Sequence, residues 1–202
     1  MRQQQNFTWM RGGENKTDRV ILGIDPGTTI MGYGLIKITG KDASLIHMDV
    51  LIMNKMPNHF MKLKKIFEET IRIIELYKPD EVALEAPFYA KNIQSMLKLG
   101  RAQGISMAAA LHHNLPVFEY SPRKVKQSIT GKGSSSKEQV ATMLQRILAL
   151  QSLPKKLDAT DALAVAICHF FQNRVGASTQ PEKKFNSWQA FISENPNKIS
   201  GL

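Results

Sequence analysis

Apolar residues recur along the chain with two different periods, and these periods divide it into strands and helices. Alternating or continuous apolar runs predict strands at 19–25, 30–38, 44–53, 81–85 and 116–119. Apolar spacings of three and four, with cap and stop residues, predict helices at 58–78, 91–113, 121–130, 136–150 and 156–171. Three antiparallel strands followed by strand–helix alternation predict an α/β fold with helices on a mixed sheet.

Both ends of the chain are polar and lack these periods. Residues 1–18 are interpreted as a disordered leader or as the product of a start codon assigned too early, residues 19–172 as one folded domain and residues 173–202 as a polar tail. In the tail Phe185, Trp188 and Phe191 recur every three residues. They either form one short amphipathic helix that docks on the body or on a partner, or belong to a loose tail, which is the preferred interpretation.

The net charge of the chain indicates which classes of partner it binds. A chain of 202 residues with 43% hydrophobic and 22% charged residues is typical of one soluble domain. Its net charge of +10 indicates a polyanionic partner, nucleic acid first and an anionic membrane surface second. The single cysteine, Cys168, excludes an intrachain disulfide and fits a buried core position. With no apolar run approaching a membrane span and no apolar signal segment, a cytoplasmic location is expected.

The positive charge is concentrated in one half of the chain. Residues 86–157 contain eleven Lys and Arg residues and only two acids, Glu119 and Glu138. Scattered lysines usually form a solvated face, but this segment also contains a glycine–serine loop, 131–136, which favours phosphate contacts. Phe88 is either a core residue or an aromatic that stacks on an unpaired base. The candidate DNA-binding residues are Phe88, Lys91, Arg123, Lys124, Lys126, Lys132 and Lys137.

Four carboxylates stand out by their context. Asp25 and Glu85 each end an apolar strand, where a rigid scaffold would fix a catalytic group. Asp25 also precedes Pro26-Gly27, so capping of that turn is an equal alternative. Asp158 and Asp161 share one face at the start of an otherwise apolar helix. Capping explains Asp158, but it does not also explain Asp161.

A cluster of four acids in a strongly basic chain predicts a bound cation. Oxygen ligands without any Cys or His spacing suit Mg²⁺, with Mn²⁺ as a substitute, rather than zinc. Two such ions can activate water and stabilise the leaving oxygen of a phosphodiester. Together with the basic segment, the residues alone therefore predict a metal-dependent nuclease.

The helix predicted at 91–113 carries small residues on one face. Leu97, Gly100, Gly104, Ala108 and Leu111 lie on this face, and its two glycines allow another backbone to approach closely. The face packs either on the sheet or against a second helix, including one from another subunit.

Four motifs, in order along residues 20–170, resemble the bacterial RuvC family of Holliday junction resolvases. They read GIDPGTT with GYG, LEAPF with AKN, LPVFEYSPR through GKGSSSKEQV, and DATDALAVAICH. The resemblance implies an RNase H-like fold with a central mixed five-stranded sheet flanked by helices. It also implies a homodimer that makes paired nicks in four-way DNA junctions during recombination and repair, in concert with the branch-migration helicase complex RuvA–RuvB.

The resemblance further assigns roles to individual residues. The metal ligands fall on Asp25, Glu85, Asp158 and Asp161, although some relatives carry histidine at the position of Asp158. Lys126 and Lys137 match basic residues near the scissile phosphate, and Phe88 matches an aromatic that meets a junction base. Asp25 would bridge two Mg²⁺ ions, and Lys137 or Lys126 would stabilise the transition state. Cleavage would leave 5′-phosphate and 3′-hydroxyl ends.

Three other functions are compatible with parts of the sequence. GIDPGTT is also similar to the phosphate loop of actin-like and Hsp70-like ATPases, but those proteins need two lobes and do not explain the basic segment. A non-catalytic junction-binding module would not need the complete set of four acids. A nuclease of the same fold that acts on ordinary duplex DNA or RNA is the third.

Overall fold

The computed structural model describes residues 18–87, 92–152 and 157–178, which form five strands and five helices. The strands are β1 (Asp18–Asp25), β2 (Ile30–Thr39), β3 (Asp42–Ile52), β4 (Glu81–Glu85) and β5 (Val117–Tyr120). The helices are α1 (His59–Tyr77), α2 (Ile93–His112), α3 (Pro122–Thr130), α4 (Lys137–Ile147) and α5 (Asp158–Ser178). The predicted order of elements is confirmed, with shifts of one to three residues at most ends and a longer α5.

The strands form one mixed sheet in the order β3-β2-β1-β4-β5. The first three strands pair antiparallel, and β4 and β5 run parallel to β1. This is the predicted mixed five-stranded sheet. Strands β1 and β4 are adjacent and parallel, and Ile24 pairs with Leu84. The next residue of each strand therefore leaves the sheet at the same edge.

Each face of the sheet has its own hydrophobic core. On β1, Leu22 and Ile24 pack with α1 and α2, whereas Ile21 packs with α3, α4 and α5. On β4, Val82 and Leu84 belong to the core that contains α1 and α2, and Ala83 belongs to the core that contains α3, α4 and α5. Since successive strand residues point to opposite faces, Asp25 and Glu85 must point to the side of α5.

Local cap chemistry sets the helix ends that surround this edge. Asn58 accepts a hydrogen bond from the backbone N–H of Met61 at the start of α1. Ser121 and Pro122 begin α3, as predicted. Ser136 and Gln139 form a capping box that begins α4 directly after the glycine–serine loop. The first helical residue of α4 is therefore Lys137.

Helix α5 is longer than predicted, since it continues past Phe171 to Ser178. Its residues 162–168 are fully buried, which includes the predicted core cysteine, Cys168. The chain divides into compact units at 1–171 and 172–202; the predicted leader through residue 17 and the tail aromatics lie outside the described residues. No helix of the described part has the length and apolar character that a membrane span requires.

Candidate active site

The two carboxylates that end β1 and β4 lie side by side at one edge of the sheet. Their strands are parallel neighbours, and both side chains point toward α5. Both are partly exposed, because the chain leaves the core directly after each of them. The prediction that Asp25 and Glu85 occupy rigid strand ends is confirmed.

Glycines on β1 and β2 bring α5 close enough to complete the cluster. A Cβ atom at Gly23 would lie 2.2 Å from the carbonyl oxygen of Ala162, and one at Gly32 would lie 2.1 Å from the carbonyl oxygen of Asp158. Neither distance is tolerated by a real side chain, so the first turn of α5 rests directly on the sheet backbone. Gly32 is also the register partner of Asp25 on β2. This contact places Asp158 beside Asp25.

Three of the four predicted acids form a compact group. One carboxylate oxygen from each of Asp25, Asp158 and Asp161 lies within 4.8 Å of the others. Glu85 is not in this group, but with Asp25 and Asp161 it lines a cavity of about 280 Å³, here called the catalytic cleft. Leu99, Gln103, Lys126 and Lys137 also line this cleft.

Burial and mutual repulsion raise the pKa values of two of these acids. Burial, followed by the charges of Glu85, Asp161 and Asp158 against the opposing charge of Lys137, raises the pKa of Asp25 to about 8. Burial and Asp161 raise the pKa of Glu85 to about 7, although Lys137 and Lys126 act in the opposite direction. Such a cluster of hard oxygen donors, too close together to be fully ionised alone, fits a divalent cation.

Lys137 brings a positive charge to the acid cluster. Its ammonium group donates a hydrogen bond to the carboxylate of Asp161 and lies 3.9 Å from that of Asp158. Partial burial acts to lower the pKa of Lys137, but the bond to Asp161 and the charges of Asp161, Asp25 and Asp158 raise it. The capping box of α4 fixes Lys137 as the first residue of that helix.

Most of the other predicted basic residues that the structure describes lie beside the cleft. Arg123, Lys126 and Lys132 line a cavity of about 750 Å³ beside Gly131, Gly133 and Ser134, here called the α3 groove. Lys126 lines both cavities and therefore connects them. Lys124 lies on another face of α3, with its Nζ 5.8 Å from the centroid of the Tyr120 ring. Phe88 and Lys91 lie outside the described residues.

Gln103 is a cleft residue that the sequence reasoning missed. Its side chain is 7% exposed, and its Nε2 donates hydrogen bonds to the backbone carbonyl of Glu85 and to the carboxylate of Glu119. It therefore ties α2 to the ends of β4 and β5. The only signal in the sequence was a polar residue on the buried side of a predicted helix. Its partners lie 16 and 18 residues away, so no local pattern identifies them.

The helix face with Gly100 and Gly104 has no partner within the described chain. A Cβ atom at either glycine would meet no atom within 4 Å, and Leu97 and Leu111 are about half exposed. Packing of this face on the sheet, one of the two predicted alternatives, is therefore wrong.

Comparisons with known proteins identify the family. The model of the family described as crossover junction endodeoxyribonuclease RuvC matches residues 21–169. Proteins of that name from Christiangramia forsetii and Cytophaga hutchinsonii are 56% and 55% identical, over 91% and 90% of this chain and 94% and 88% of their own lengths.

A solved structure, Thermus thermophilus RuvC in complex with a Holliday junction substrate, is also similar. It has a TM-score of 0.73 and 33% identity over 78% of this chain and 96% of its own. These matches confirm the RNase H-like architecture and decide against an actin-like ATPase. The chain belongs to the RuvC family of crossover junction endodeoxyribonucleases.

Proposed function

We propose that this protein resolves four-way (Holliday) DNA junctions by paired, metal-dependent nicks in recombination and repair. The single observation that carries this proposal is the carboxylate cluster of Asp25, Asp158 and Asp161, with Glu85 in the same cleft, between lysine-bearing helices. Family membership supplies the substrate, since the relatives are named for crossover junctions and the Thermus protein is bound to one.

The four acids are proposed to hold two Mg²⁺ ions, with Mn²⁺ as a substitute. When bound, divalent cations supply Lewis-acid activation of the scissile phosphate and of a water molecule. Burial and then repulsion raise the pKa values of Asp25 and Glu85, and a bound cation would offset both effects and favour the ionised ligands. Asp158 and Asp161 are fixed on the first turn of α5, and Asp25 on the end of β1, so these ligand positions are rigid.

Lys137 is proposed to act on the transition state. In the metal-free protein its ammonium neutralises Asp161 and Asp158. With cations on those carboxylates, the ammonium would be free to contact a phosphate oxygen and to offset the charge that develops there. Water adds to phosphorus and the bond to the 3′ oxygen breaks, which leaves 5′-phosphate and 3′-hydroxyl ends. Lys126, in the same cleft, is the alternative for this role.

The basic surface beside the cleft is proposed to bind the DNA backbone. Arg123, Lys126 and Lys132 line the α3 groove, whose loop also offers a serine hydroxyl. Lys124 would contact DNA only on the other side of α3. Phe88 and Lys91 follow Glu85 closely in sequence and remain predicted contacts to the junction.

A homodimer is proposed to make the two nicks. The exposed apolar face of α2, with Gly100 and Gly104, offers a close-approach surface for the same face of a second copy. A two-fold axis would then present two catalytic clefts to two strands of one junction. Cooperation with the branch-migration complex RuvA–RuvB follows from the family resemblance.

The proposal is tested by nicking of a synthetic four-way junction, with and without Mg²⁺, beside a linear duplex of the same sequence. Paired, symmetric nicks in the junction alone, abolished by Asp25→Asn with junction binding retained, are the expected result. Equal cutting of the duplex would reduce the function to an unselective nuclease. Tight junction binding without nicks in either Mg²⁺ or Mn²⁺ would indicate a binding module.

A further inference from the structure

A second groove also begins at the catalytic acids, and it shares no lining residue with the α3 groove. It has a volume of about 740 Å³ and lies between the β1–β2 turn and the first turns of α1 and α2; we call it the α1–α2 groove. Asp25 and Asp158 form one end of it. Asp25 also lines the catalytic cleft, which Lys126 links to the α3 groove. The two grooves therefore extend from a shared centre.

Away from the end formed by Asp25 and Asp158, the charged residues that line the α1–α2 groove are lysines. Lys62 of α1 and Lys98 of α2 line it, and no carboxylate of the described residues lies within salt-bridge distance of either. The next lysines of α1 differ, because Lys64 and Lys65 pair with Glu68 and Glu69 one turn later. Lysines left unpaired beside a catalytic cluster are available to an anionic ligand.

The pKa of a neighbouring histidine is lowered in part by the same positive charges. His59 lines the groove, and burial followed by the charges of Arg101, Lys98 and Lys62 lowers its pKa. No acid contributes to this shift. Arg101, three residues after Lys98 on α2, therefore adds to the field that an anion in the groove would meet.

Neutral hydrogen-bond donors complete the walls. Thr28 and Thr29 of the β1–β2 turn and Ser95 of α2 place hydroxyl groups along the groove. The first turns of α1 and α2 line the groove through His59 and Ser95, so the positive ends of two long helix dipoles lie beside it. Ammonium groups, hydroxyls and helix N-termini together are the groups that contact DNA phosphates.

We propose that the α1–α2 groove binds the phosphodiester backbone that flanks the scissile phosphate, on the side opposite to the α3 groove. This inference rests on the proposed junction-nicking function and deepens it. The DNA would pass over Asp25 between two cation-lined surfaces, with Lys62 and Lys98 on one side and Arg123 and Lys132 on the other. Contacts on both sides fix the scissile phosphate along the strand as well as across it.

The salt dependence of junction binding tests the charge contacts. In metal-free buffer, the full-length Lys62→Gln/Lys98→Gln variant should bind a synthetic four-way junction more weakly than the unmodified protein. The slope of log K against log[salt] should fall by about 1.4–1.8, since each of the two lost phosphate contacts removes about 0.7–0.9. The matched control is Lys64→Gln/Lys65→Gln, which removes the same charge from lysines paired with acids and should leave the slope unchanged.

Hydroxyl-radical footprints of the same complexes test the direction. The Lys62→Gln/Lys98→Gln variant should lose protection on one side of the nick, and Arg123→Gln/Lys132→Gln on the other. Loss on the same side for both variants, or a slope equal to that of the control, overturns the inference. Nicking by the unmodified protein is measured in parallel, because its failure would reject the proposed function, whereas normal nicking with an unchanged slope rejects the groove alone.

Discussion

Asp25 is expected to lower the stability of the metal-free protein although the proposed metal site requires it. Burial, followed by the charges of Glu85, Asp161 and Asp158, raises its pKa to about 8. In the unfolded chain its pKa returns to about 3.9. Between these values the folded state holds a proton that the unfolded state has lost, so stability is full at acidic pH and falls as the pH rises toward 8.

We therefore expect Asp25→Asn to stabilise the metal-free protein. The gain should be small near pH 4 and should grow as the pH rises to 8, where it reaches at least about 1 kcal/mol. For a chain of this size that corresponds to an increase in melting temperature of about 2–4 °C or more. Thermal unfolding in chelator at several pH values measures it, with Asp42→Asn on the exposed strand β3 as the control. A gain in stability that did not change with pH would contradict the raised pKa of Asp25.

The same raised pKa values predict proton release when the metal binds. At pH 6.5, which lies below the pKa of about 8 for Asp25 and of about 7 for Glu85, a binding cation should displace protons from both acids. The apparent affinity for Mg²⁺ or Mn²⁺ should rise with pH and level off above about 8. Calorimetric titrations in buffers of different ionisation enthalpy count the released protons. No proton release at pH 6.5 would show that the two acids are already ionised.

At the scale of elements, the site depends on how closely α5 lies on the sheet. Gly23 and Gly32 remove the side chains that would hold α5 away, and Asp158 and Asp161 arrive beside Asp25 as a consequence. The strands, the helices and all four acids could be predicted, because each has a local signal such as an apolar run that ends in a carboxylate. The function of these glycines could not, since nothing local distinguishes a contact glycine from a turn glycine.

Gln103 also depends on how a helix packs on the sheet. It joins α2 to the carbonyl of Glu85 and to Glu119, and so positions the end of β4 without belonging to the acid cluster. The sequence left it unassigned because its partners come from two strands on either side of α2. The α1–α2 groove was missed for the same reason, since Lys62 and Lys98 come together only when α1 and α2 pack.

We expect Gln103→Leu to slow nicking at saturating junction about fivefold, since one neutral hydrogen bond contributes about 1 kcal/mol. Junction affinity should stay constant, because Gln103 holds the backbone of Glu85 and carries no charge to bind phosphate. Single-turnover rates and equilibrium binding separate the two effects. The control is Gln94→Leu, the same change at an exposed position of α2. A drop in affinity with an unchanged rate would contradict a positioning role.

At the scale of the whole molecule, the exposed face of α2 is unusual for a monomer. Glycine costs an exposed helix about 1 kcal/mol relative to alanine, and here two glycines face open space in a single chain. Neither is needed for a contact within the described residues. Close approach of a second copy gives a reason for both, and it agrees with the half-exposed Leu97 and Leu111 on the same face.

This interpretation predicts that Gly100→Ala/Gly104→Ala has opposite effects on the chain and on the dimer. The single chain should gain about 1–2 kcal/mol of stability from helix propensity, because the new methyl groups meet no atom within it. Association should weaken, because the same methyl groups would hold two α2 helices apart. Sedimentation velocity over a range of concentrations, with urea unfolding at low concentration, measures both.

Thr142→Ala on the exposed face of α4 is the matched control for this pair, since it also raises helix propensity. It should stabilise the chain and leave association unchanged. If both variants behaved alike, α2 would not form the subunit contact and the two-fold arrangement of the clefts would need another surface. If the glycine variant became monomeric and its junction nicks lost their pairing, the distance between two α2 backbones would be what couples the two cuts.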